Sequence, residues 1–166
     1  AQDNIFFSGA VYPILLAVVL RQDIFPDFNL GRFINAVFDC LSIVLLMLIA
    51  GRLFGRREAL LAGVIYIFYT PLILLCGMIS PDPVTILLIL LAVLMLLKWH
   101  DKENSRNLIW VGVILGVLVL TRPTASLLFI PFLGGFIYDN RMRLKNIAQA
   151  IIKSVSVFVL IILPWI

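Results

Sequence analysis

The residues most capable of chemistry in this chain are ionisable groups set among apolar ones. Arg122 stands in LVLTRPTASLL, residues 118–128, between two apolar runs and directly before Pro123. A guanidinium stays charged at any working pH, and its planar fork matches the oxygens of a phosphate. Lipid disfavours such a cation, so Arg122 either snorkels to the headgroups or serves an anion. Arg32 and Asp39 lie seven positions apart in one apolar segment, two helical turns on the same face. They form an ion pair, or Arg32 lines a cavity while Asp39 orients polar neighbours. Asp82, in Ser80-Pro81-Asp82-Pro83, either starts a helix or faces that cavity. Asp3 is the one acid ahead of the Tyr12-Pro13 pair and a weak candidate for a base, as is Asp82.

The segments that must position these groups are apolar and long. The 166 residues are 63% hydrophobic and 13% charged, against roughly half and a quarter in a soluble domain. Runs such as Ile79–Leu97 are long enough to span a bilayer. They lack the two-residue alternation of a lipid-facing barrel strand. The expected fold is therefore all-α, a polytopic transmembrane bundle of about six spans plus a short outer interfacial helix at Tyr12-Pro13. Spans are expected over 33–50, 59–79, 84–97, 108–120, 125–138 and 147–163, the second broken at Thr70-Pro71. Residues 1–32 read as an outer loop and 33–166 as the bundle of one domain, with 1–166 an internal fragment of a longer protein.

The net charge of +4 marks orientation. Loops 51–58, 98–107 and 139–146 hold nine Lys and Arg, whereas Arg21, Arg32 and Arg122 fall on the opposite side. The positive-inside rule makes the basic loops cytoplasmic. Residues 1–32, SPDP and TRPT then face the periplasm, the exterior or a lumen, and the odd ionisable residues gather there. No basic–aromatic interleaving points to nucleic acid. Cys40 and Cys76 lie in apolar runs and read as buried small hydrophobes. His100 is the single histidine, so neither a His-based metal site nor a Ser–His pair is supported. No cofactor is predicted, and a divalent metal stays open.

In order, IFFSGAVYPILLA, Arg32 leading FINAVFDC, AGRLFGRREALLAGVIYIFYTPLIL, SPDPVTILLILLAVLMLL, GVILGVLVLTRPTASLLFIP and LPWI resemble the GT-C membrane glycosyltransferases. They are most similar to the bacterial dolichyl-phosphate-mannose–protein mannosyltransferase-like group, which includes the aminoarabinose transferases of lipid A and lipopolysaccharide-core transferases. The resemblance covers nearly the whole chain. It implies transfer of a sugar from a polyprenyl-phosphate carrier to a lipid, glycan or protein acceptor on the outer face of a bacterial inner membrane. It also implies a carboxylate base in the first outer loop and cations on the departing lipid phosphate. Arg122 is then the first phosphate ligand and Arg32 the second. Tyr12 and Pro13 resemble the Tyr-Pro element of the family and, with Asp39 and Asp82, line the cavity. The family's acid normally lies well before that element, and Asp3 stands too close to Tyr12 to match it. No catalytic base is therefore assigned. A transporter or flippase, or a noncatalytic membrane subunit, is the competing class. The charges gather on one face, whereas a transport path needs them at mid-bilayer.

Overall fold

The computed structural model describes Ile14, residues 28–78, 80–102, 105–128, Ile152, residues 155–160 and Leu163. Every regular element among them is helical: α1 (Phe28–Leu53), α2 (Arg56–Ile67), α3 (Thr70–Gly77), α4 (Asp82–Lys102), α5 (Ser105–Thr121) and a 3-10 helix (Pro123–Leu128). Two of them, over Asn29–Leu53 and Asp82–Asp101, are long and apolar enough to cross a membrane. At 1.5 Å per residue α1 is about 39 Å long and α4 about 32 Å, against about 30 Å of hydrocarbon. The chain divides into two compact units, Ala10–Leu94 and the remainder, and each is described by itself.

In the first unit, α2 and α3 retrace α1 in the opposite direction. The turn between α1 and α2 is made by Gly55, at φ 120°, a region that disfavours a side chain. Its carbonyl accepts from the Ala59 N–H at 3.1 Å, which opens α2. The helices then approach through small residues. A Cβ on Gly51 would lie 3.4 Å from that of Ala59, and one on Gly63 would lie 2.8 Å from Met47 Sδ. Where lipid replaces water, close backbone approach of this kind drives helix pairing. The buried face of α1 runs through Gly31, Asn35, Ser42, Ile49 and Ala50, a stripe of helical period.

The break expected at Thr70-Pro71 is a division into two helices. The Phe68 and Tyr69 amides close α2 on Val64 and Tyr66, and Pro71 sits in the first turn of α3. Proline suits that turn because its missing N–H would have no helical partner there. The connector expected at 98–107 is mostly helical, since α4 runs to Lys102 and α5 begins at Ser105. Charged residues there continue the helix beyond its apolar part. Cys40 is free and exposed, contrary to the expectation of burial, because it falls off the buried stripe of α1. Among the described residues, exposed Phe33, Leu41, Val44, Leu48, Leu61, Ile65 and Phe68 cover the outward faces of α1 and α2. Apolar side chains on the outside and small or polar ones inside are what a lipid solvent demands.

Candidate functional site

Four of the singled-out residues fall within described elements. Arg32, Asp39 and Asp82 belong to the first unit, and Arg122 to the second. Asp3, Tyr12 and Pro13 lie outside the described residues, as does most of the interfacial helix. Its Ile14 is helical and exposed.

Within α1, Arg32 is exposed and Asp39 half-buried. Asp39 takes its partner from α2: the Tyr66 hydroxyl donates to Asp39 Oδ1 at 2.7 Å. That bond gives Asp39 a polar partner on the facing helix. The Arg32–Asp39 ion pair, one of the alternatives offered by the sequence, is not formed, because the two stand two turns apart on α1. Between Arg32 and Asp39 stands Asn35, which sequence reasoning passed over. It is 1% exposed. Its amide donates to the carbonyls of Met78 at 2.9 Å and Ser80 at 3.3 Å. A single asparagine in a greasy segment was the available signal, because burying an amide is costly unless it is satisfied.

The turn that Asn35 holds is the SPDP segment. Ser80 Oγ donates to Asp82 Oδ2 at 2.6 Å and accepts from the Asp82 N–H at 3.2 Å. The Thr85 hydroxyl donates to the Pro81 carbonyl at 2.8 Å. Asp82 is the first residue of α4, so it starts that helix as one sequence reading expected. A carboxylate there meets the positive end of the helix dipole.

Arg122 sits at a joint between two helices. The α5 face formed by Val111, Ile114, Leu115 and Leu118 is buried and ends on Thr121, which is 0% exposed. The Thr121 hydroxyl donates back to the Val117 carbonyl at 2.8 Å. Thr121 is the last residue of α5. Arg122 alone leaves the helix, and its N–H still donates to the Leu118 carbonyl at 2.9 Å. Its own carbonyl accepts from the Ala125 N–H at 2.9 Å, which starts the 3-10 turn. Backbone bonds therefore fix the residue on both sides while its side chain is exposed. The backbone thus holds an exposed cation at the joint between α5 and the 3-10 helix.

Among the described residues, no group of three or more His, Cys, Asp or Glu could hold a metal ion. An open groove of about 520 Å³ is lined, among the described residues, by Val155, Ser156, Val159, Leu160 and Leu163, none of them ionisable.

The family model described as dolichyl-phosphate-mannose-protein mannosyltransferase matches residues 14–166. The chain belongs to that family. Neither the curated proteins nor the solved structures gave a match. Membership makes this a mannosyltransferase-like membrane glycosyltransferase of the GT-C type. The match covers every described helix, including the turns that carry Arg32, Asp82 and Arg122.

Proposed function

We propose that this mannosyltransferase-family chain moves a sugar from a polyprenyl-phosphate carrier to a glycan, lipid or protein acceptor on the outer face of the membrane. The observation that carries the reading is the family match over residues 14–166. The bundle is read as about six spans, the number at which the basic loops alternate with SPDP and TRPT across the membrane. The three basic loops lie in the cytoplasm of a bacterial inner membrane, so TRPT and SPDP face the periplasm.

In this mechanism the anomeric carbon of the sugar leaves its bond to the lipid phosphate. An acceptor oxygen takes that carbon, and its proton passes to a carboxylate. The acceptor proton needs a base, for which Asp3 and Asp82 are weak candidates. Charge grows on the departing phosphate, and a guanidinium beside it lowers the barrier there. Arg122 has that role and Arg32 assists. Tyr12, Pro13, Asp39 and Asp82 shape the cavity.

The test uses the full-length protein in proteoliposomes with labelled polyprenyl-phosphate sugars and a panel of acceptors. Transfer from the lipid carrier supports the reading. Uptake or flipping of the labelled lipid without transfer would establish the transporter class in its place.

A further inference from the structure

Asn35 is the most deeply buried amide side chain among the described residues of the first unit, and it bonds outside its own helix pair. It reaches across from α1 to two backbone carbonyls, of Met78 and Ser80, on either side of the loop between α3 and α4. Both carbonyls need an outside donor. Met78 lies past the end of α3, and Pro81 and Pro83 have no N–H to offer. From Ser80 the network passes directly to a carboxylate, because Ser80 Oγ bonds both the side chain and the N–H of Asp82. Arg32 lies one helical turn before Asn35. One buried amide thus ties the helix that carries Arg32 to the turn that carries Asp82.

We infer that Asn35 is a positioning residue, acting on the reaction by fixing the Ser80–Asp82 turn against α1. The inference rests on the glycosyltransferase reading and deepens it. An apolar residue of similar size would fill the space but leave the Met78 and Ser80 carbonyls without their donor. What the amide adds is direction: two donors aimed at two carbonyls set where the turn sits, and Ser80 sets the rotamer of Asp82. Replacement by an isosteric carboxylate turns that attraction into repulsion, because Asp offers only acceptors when ionised.

The test measures initial rates of sugar transfer by the full-length protein in proteoliposomes. It compares wild type, N35D, N35Q, D82N and the double variant N35D/D82N. The expected outcome is a fall in kcat/KM of about ten-fold or more in N35D and in D82N. The double variant should be no worse than its more impaired parent, since Asn35 acts through the turn of Asp82. N35Q keeps both donors and should recover most of the rate. Wild-type kcat/KM in N35D, or a double variant showing the product of both losses, overturns the inference and leaves the glycosyltransferase reading standing. No transfer by the wild type overturns that reading and the positioning role with it.

A second measurement covers an N35D protein that fails to accumulate. Val84→Cys puts a thiol at a site only 7% exposed, directly after the clamped turn, where labelling requires the turn to open. Adding Asn35→Ala should raise the labelling rate several-fold. An unchanged rate overturns the clamp.

Discussion

The Tyr66 hydroxyl of α2 donates a 2.7 Å hydrogen bond to the Asp39 carboxylate of α1, inside a pair of apolar helices. Tyr66 lies about 15 Å along α2 from the basic turn, at 1.5 Å per residue. A carboxylate packed between apolar helices needs such a partner. The bond sits between the Gly63–Met47 contact and the Asn35 clamp, so it pins the centre of the hairpin.

Tyr66→Phe removes the donor and leaves the carboxylate in place. It should destabilise the protein by about 0.5–2 kcal/mol, the range for a hydrogen bond between helices in lipid. Tyr66→Phe combined with Asp39→Leu should be more stable than Tyr66→Phe alone, because the orphaned acid is gone. Equilibrium unfolding of both variants in mixed micelles checks this. Equal stability of the two would show that the bond carries no weight.

The α1–α2 turn makes a separate prediction. At φ 120° and ψ 176°, Gly55 occupies backbone space that a side chain disfavours. Gly55→Ala should cost about 1–3 kcal/mol through strain. Gly63→Ala should cost less, because the flexible Met47 thioether can move aside, whereas Gly63→Val forces the helices apart. Melting temperatures of the three variants should therefore place Gly63→Ala closest to wild type.

Orientation is open to direct chemical test. A thiol at Arg57→Cys should react with a membrane-impermeant maleimide only from the cytoplasmic side. One at Thr124→Cys should react only from the outer side. Both positions are exposed in the structure. Labelling of both from one side would break the alternation drawn from the basic loops.

The sequence was most legible where composition alone decides. The apolar runs located α1 and α4, and the proline after Thr70 located the division between α2 and α3. Helix ends were less legible. Polar residues at 28–32 and 98–102 look like loop, yet they prolong the helices because a backbone leaving lipid keeps its internal hydrogen bonds at no cost. Asp39 was recognised as out of place, but its partner Tyr66 lies 27 residues on, and no local pattern pairs them. Asn35 carries no charge and so passed unnoticed. Its role depends on carbonyls more than 40 residues away. Arg122 was the clearest signal, since a fixed cation beside proline in an apolar run has few uses.

Arg122 is the proposed stabiliser of the phosphate that departs from the sugar. The most direct test of that role is steady-state transfer from a labelled polyprenyl-phosphate sugar by full-length wild type, Arg122→Ala and Arg122→Lys in proteoliposomes. The account predicts that Arg122→Ala lowers kcat by about 10²–10³-fold, the scale for losing one charge-stabilising donor. Arg122→Lys should recover part of that loss, since it keeps the charge without the fork. The acceptor KM should stay near its wild-type value. Wild-type turnover by Arg122→Ala would contradict the account and return Arg122 to the role of a snorkelling interfacial arginine.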